Sequence, residues 1–469
     1  MKINNINPNV SFNAYMGGFS KALYTLSNND MLNASFVDVF AMDTPRTIVE
    51  TKNRGKQAGI EMGFREYTGT FIAEFSAALF AIFASKIIAK KLNPQIDVNS
   101  SSWITNRGLN VFSEIYSQSE KTPQSFVEKI MNSISGITGS KTRLFKDVED
   151  DKRKDIVNKI TDIITNNLDK KEQDKKLNLI QDDIIRSLGA DNNITIKSGK
   201  YEVSSNLSHT LRDIVDSGKN IFFKKSGGDV TKTLSKLKTM NNLRIAIAIP
   251  LSMLLAISNQ YLNRFLTKKR TGIDNFVGEN NYEDNVQAQY EKQKEKGLWW
   301  KKLLSAGIFV LMLSKVMGIK KPADLVKKLE FDGPATSGNA IKTIYGTLIL
   351  GRIFASKDST ELRETNVRDY LGFLNWLVLG GFVAKGVGQM LDRKQKNLFN
   401  ITKKGSGIKH WLRDVSLKSQ KEVIAQGGNI KSNLRKLNFA QAAGIAYSAI
   451  MLGVLLPKLN IWMTKNEKK

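Results

Sequence analysis

Leu437–Pro457 reads LNFAQAAGIAYSAIMLGVLLP, twenty-one residues without a charge. A helix needs about 20 predominantly apolar residues to cross the hydrocarbon of a bilayer, so this run is long enough to span. Ile245–Asn263 is a second uncharged run of nineteen residues. Gly69–Ser85 is apolar except for Glu74, and Tyr370–Ala384 is shorter and runs into Lys385. Two weaker runs remain: Leu303–Ser314 stops at Lys315, and Thr343–Gly351 lies between Lys342 and Arg352.

These runs are not independent. Phe64–Phe71 is FREYTGTF and Val367–Leu374 is VRDYLGFL, so Arg-acid-Tyr-x-Gly occurs twice, each time ahead of an apolar run. The same register aligns Glu61 with Glu364 and sets Ala77, Ala81 and Ser85 against Gly380, Ala384 and Gly388. Small residues four apart form one stripe on a helix face, and in a membrane such stripes let helices approach closely. SKLKTMNN (Ser235–Asn242) likewise resembles SNLRKLNF (Ser432–Phe439). The runs that follow close as LNRFLTK (Leu262–Lys268) and LNIWMTK (Leu459–Lys465), with a constant offset across the helix. Collinear matches of this kind point to an internal duplication. The halves lie parallel if both short runs span or neither does, and inverted if only one spans.

The expected fold is therefore predominantly all-α: an internally duplicated helical membrane bundle with a small, mostly helical soluble insertion. Residues 64–92 and 233–270 make the first half, and 364–393 and 431–465 the second. Residues 1–63 form an N-terminal polar and amphipathic region, 271–302 a polar linker, 303–363 short apolar helices and 394–430 a basic loop. The insertion is 93–232. In it, Ile156, Ile160 and Ile163, then Leu177, Ile180, Ile184 and Leu188, recur at helical spacing. NITIKSGKYEV (Asn193–Val203) alternates around Ser198–Gly199 and predicts one β-hairpin.

Composition narrows the function. The 71 Lys and Arg outweigh 44 Asp and Glu for a net +27, which favours anionic partners such as acidic lipid head groups or nucleic acid. Nucleic acid is disfavoured because the basic residues are spread over every linker and aromatics rarely interleave with them. The chain has no cysteine, which removes disulfides, thiolate metal sites and cysteine nucleophiles. It has two histidines, His209 and His410, and neither sits in a metal or triad motif. The glycines of Gly380–Gly388 fall inside an apolar run, and SGGDVTKT (Ser226–Thr233) lacks P-loop spacing. No enzyme and no cofactor is expected. MKINNINPNVSFNAY lacks the apolar core of a signal peptide, so no cleaved leader is expected. The expected location is a membrane, a bacterial inner membrane by this reading.

The leading expectation is a non-enzymatic scaffold that meets anionic lipid through its basic loops and a protein partner through 93–232. Arg65 and Arg368 are candidates for clamping an anionic head group by forked hydrogen bonds. Their i,i+4 partners Glu61 and Glu364 also suit a plain helix ion pair. One alternative is a small transporter or channel built on the repeat, with Glu74, Asn375 and Lys385 as intramembrane polar residues. A second is a soluble basic helical protein that binds nucleic acid or a membrane surface. LWWKK (Leu298–Lys302) places a Trp pair beside lysines, as at a membrane interface.

Overall fold

Helices begin where a short polar side chain meets the first helical turn. Asp358 accepts from the Glu361 amide at 2.9 Å and Asp169 from the Glu172 amide at 2.8 Å, satisfying donors that a helix start leaves open. A computed structural model describes residues 10–92, 105–138, 141–166, 168–222, 230–272, 297–331, 336–375, 379–403 and 405–467. The expected linker 271–302 falls largely outside the described residues, as do Ser226–Asp229 of SGGDVTKT, whose Val230–Thr233 begins a helix.

The chain is predominantly helical with a small antiparallel sheet. The expected hairpin is present: β3 (Ile194–Ser198) pairs with β4 (Tyr201–Ser205), Ser198 opposite Tyr201, and Gly199 turns at φ +53°. The sheet is larger than the pattern predicted. A second hairpin, β1 (Ile134–Thr138) and β2 (Lys141–Leu144), joins it through β1 to give the order β2-β1-β3-β4. β1 and β2 are short, and β2 exposes three of its four residues, so no apolar alternation marked it. A two-stranded ribbon, β5 (Phe399–Ile401) with β6 (Val415–Leu417), lies within 394–430.

Two large apolar cores form. One gathers Phe12 and Met16, most of the buried apolar residues of 109–221, and Phe399, Val423, Ile424, Leu434 and Leu437. The N-terminal region, the insertion and the 394–430 segment therefore share one core. The other unites Ala73, Ala77 and Ala81 with Ala248, Ala256, Phe309, Ile344, Leu348 and Phe373.

Among the described residues, three helical stretches are long and apolar enough to cross a membrane: Lys56–Ile88, Val230–Thr271 and Ile430–Asn466. They contain three of the four longest apolar runs. Thr343–Gly351 sits in the helix Gly338–Ala355, which is buried on nearly every side. Leu303–Ser314 sits in Leu298–Met317, which leaves Trp299, Trp300, Leu304 and Leu311 exposed.

Candidate functional site: a buried arginine–carboxylate core

The two Arg-acid-Tyr-x-Gly motifs meet inside the bundle. Arg65 and Glu66 on the helix Lys56–Phe71, and Arg368 and Asp369 on Ser359–Leu374, are all buried. The guanidiniums of Arg65 and Arg368 are close enough to repel one another. Carboxylates offset that repulsion. Arg65 Nε lies 3.3 Å from Glu66 Oε1, and Arg368 Nε lies 2.8 Å from Asp369 Oδ1.

Arg352, near the end of Gly338–Ala355, ties the motifs together. Its Nη1 reaches Asp369 at 3.1 Å and its Nη2 reaches Glu66 at 3.4 Å. From Thr44–Arg54, Arg46 contacts Glu66 at 3.5 Å and donates Nε to the Leu452 carbonyl at 2.9 Å. One turn and then two turns along that helix face, Glu50 and Arg54 follow. Arg54 forks onto Glu364 at 2.6 and 3.1 Å and meets Glu50 at 3.5 Å. Five buried arginines (46, 54, 65, 352, 368) thus face five buried carboxylates (50, 61, 66, 364, 369). That balance allows so many ions away from water, since an uncompensated buried charge costs several kcal/mol.

The repeated glycines have a physical role here. A Cβ on Gly69 would lie 3.3 Å from Arg352 Nη2, and one on Gly372 would lie 3.3 Å from Arg46 Nη2. The arginine that precedes each motif crosses over the glycine of the other. A second correspondence joins the matched segments: Asn263 donates to the Glu61 carbonyl at 3.4 Å, and Asn460 to the Glu364 carbonyl at 2.9 Å. The tyrosines of the motif diverge. Tyr67 shares a 2.7 Å hydrogen bond with Thr44, while Tyr370 donates to the Ser305 carbonyl.

The small-residue stripes are buried. Ala77, Ala81 and Ser85 lie where Ala77–Leu92 packs along Val230–Thr271, and Ser85 accepts from Arg244. Gly380, Ala384 and Gly388 lie on Gly380–Leu391, which packs along Ile430–Ser448. A Cβ on Gly444 would stand 2.6 Å from the Gly380 carbonyl oxygen, so the two backbones touch.

The three intramembrane polar candidates do not converge. Asn375 donates to the Leu371 carbonyl and accepts from Tyr447. Lys385 donates to the Trp411 carbonyl and sits 4.3 Å from the Trp411 ring. Glu74 accepts from Ser35 and lies within hydrogen-bonding reach of Asp38. Neither Asp38 oxygen meets an N–H or hydroxyl donor among the described residues, and Asp43 meets only Thr70, at 2.8 Å. Burial and the neighbouring Glu74 carboxyl push the Asp38 carboxyl well above the usual carboxylate range.

Arg46, Arg54, Arg352, Asp38 and Asp43 were not singled out by sequence. Arg352 figured there only as the end of a short apolar run, and Arg46 follows a proline at a helix start. No metal-binding group of three or more His, Cys, Asp or Glu occurs among the described residues. No family model, curated protein or solved structure matches the chain.

Proposed function

We propose that the protein is an internally duplicated α-helical membrane protein and a non-enzymatic scaffold, its two halves locked by the buried ionic core. The carrying observation is the outward face of the three long helices. Phe83 is 64%, Leu254 63%, Phe439 62% and Trp462 61% exposed, while Ala73, Ala77, Ala81, Ala248 and Ala256 of the first two helices pack inward in the apolar core. Large exposed apolar side chains along helices of bilayer length are costly in water and suit lipid. The crossed arginine–glycine contacts and the paired Asn263 and Asn460 hydrogen bonds support the duplication.

A lock rather than a head-group clamp accounts for Arg65 and Arg368. Both are occupied by carboxylates and closed off from the surface. The head-group contact falls to the basic loops, and the soluble unit built around 105–222 offers its surface to a protein partner. Membrane fractionation tests this reading. A pellet that keeps the protein through high salt and alkaline carbonate supports it, and release by salt alone refutes it.

One observation favours a second reading, a small transporter: the neighbouring Asp38, Asp43 and Glu74 carboxyls are all buried, and Asp38 meets no N–H or hydroxyl donor among the described residues. Proton flux in proteoliposomes that disappears in Glu74→Gln supports transport; an absence of flux refutes it.

A further inference from the structure

Lys385 lies within an apolar helix, yet its ammonium is bound to the carbonyls of Trp411 and Leu412 at the end of the short helix Gly407–Asp414. The Trp411 ring packs on Phe382 at 6.0 Å, and its indole N–H donates to Gln389 at 2.9 Å. These contacts lay the short helix across Gly380–Leu391. Their level in the bundle is set by neighbours on that helix. Gly380 and Ala384 face Gly444 in the uncharged run, while Gly388 faces Phe399 and Leu417 of the soluble core. Lys385 and the short helix therefore sit where the apolar run ends and the soluble unit begins.

The outer side of this ledge is amphipathic. Ile408 is 78% exposed, Leu412 on the next turn 43%, and Met390, beside Gln389, 77%. Lys409 and Arg413 alternate with them and are exposed, as are Arg393, Lys394, Lys396 and Lys403. Residues 393–414 carry seven Lys and Arg against one acid, Asp414, which His410 and Arg413 cover at 3.4 Å each.

Resting on the membrane reading, we propose that Gly407–Asp414 is an interfacial anchor: Ile408, Leu412 and Met390 insert at the head-group boundary of an anionic leaflet, and the surrounding lysines and arginines bind its phosphates. Exposed bulky apolar groups ringed by basic residues, held at the end of a bilayer-length run, are the features of such an anchor. Lys385 is the positioning residue that keeps the short helix flat against the bundle.

The absence of cysteine makes the test direct. Ile408→Cys and Leu254→Cys are each labelled with an environment-sensitive fluorophore. Each is reconstituted into nanodiscs of phosphatidylcholine alone or mixed with phosphatidylglycerol, with nitroxide lipid as quencher. The proposal expects quenching of the Leu254 label in both discs. It expects quenching of the Ile408 label that is at least several-fold stronger with phosphatidylglycerol and is lost in Lys409→Glu/Arg413→Glu. Leu254 quenched with Ile408 as bright as in water overturns the anchor and leaves the membrane reading standing. Ile408 quenched equally in both discs and in the charge-reversed variant overturns the anionic-lipid assignment. Neither label quenched overturns the membrane reading and the anchor together.

Discussion

Arg352→Met removes a side chain that touches the acids of both motifs. Glu66 keeps Arg46 at 3.5 Å and Arg65 at 3.3 Å, and Asp369 keeps Arg368 at 2.8 Å. Neither acid is orphaned, but the core is left one negative charge in excess. Breaking a buried pair from one side costs about 3–5 kcal/mol, and the remaining partners place this case near 3. If charge balance sets the cost, removing the excess recovers it: Arg352→Met/Asp369→Asn should regain about 2 kcal/mol of the loss, because a buried ion pair replaced as a whole is nearly neutral. Chemical denaturation in detergent micelles, followed by circular dichroism, reads both variants. A cost below about 1 kcal/mol for the single variant, or a double variant less stable than the single, would refute the charge-balanced lock.

Gly69→Ala should cost about 1–2 kcal/mol, since the new methyl meets a guanidinium that two carboxylates hold in place. The cost should shrink in the Arg352→Met background, and a double-mutant cycle that shows pure additivity would sink the crossed contact. Asp38→Asn should leave stability within about 1 kcal/mol, because burial pushes the Asp38 carboxyl toward its neutral form and no N–H or hydroxyl donor is lost; a loss of several kcal/mol would show an ionised Asp38. In the soluble unit, burial and the neighbouring Asp191 push the Glu422 carboxyl from 4.5 up to about 7, against the N–H groups of Asp191, Asn192 and Ser419. The folded state then holds the proton more tightly than the unfolded one, so this contribution is complete below about pH 4.5 and is lost as pH rises through 7. It amounts to about 3 kcal/mol. Glu422→Gln should flatten that slope between pH 5 and 8, and identical slopes in the two proteins would count against it.

The long helices were legible because Ile245–Asn263 and Leu437–Pro457 carry no charge and Gly69–Ser85 carries only Glu74. The motif itself was legible as a repetition, but its reason was not. What Gly69 and Gly372 accommodate is an arginine 283 or 326 positions away along the chain, and no local pattern encodes that. Arg352 looked like the end of a short apolar run and Arg46 drew no reading at all, because a buried arginine is recognisable only by its partners. The β1–β2 hairpin escaped because its strands hold four or five residues with little alternation. The shared soluble core escaped because Phe12, Val423 and Leu437 come from three distant segments. Only the tertiary fold shows that the basic loop and the insertion close on one another, through Lys421 on Asp182 at 2.8 Å and Ser419 on Asp191 at 2.8 Å.

Phe265 and Trp462 lie 197 positions apart, the offset that aligns LNRFLTK with LNIWMTK, and both are exposed. Nitroxide labels on Phe265→Cys and Trp462→Cys, read by paramagnetic relaxation from lipid-soluble oxygen and a water-soluble nickel chelate, test duplication and membrane insertion together. Two equivalent halves in a bilayer predict that both labels favour oxygen over nickel and lie at the same depth, whether the repeats are parallel or inverted. Labels open to nickel, or buried at clearly different depths, would contradict it.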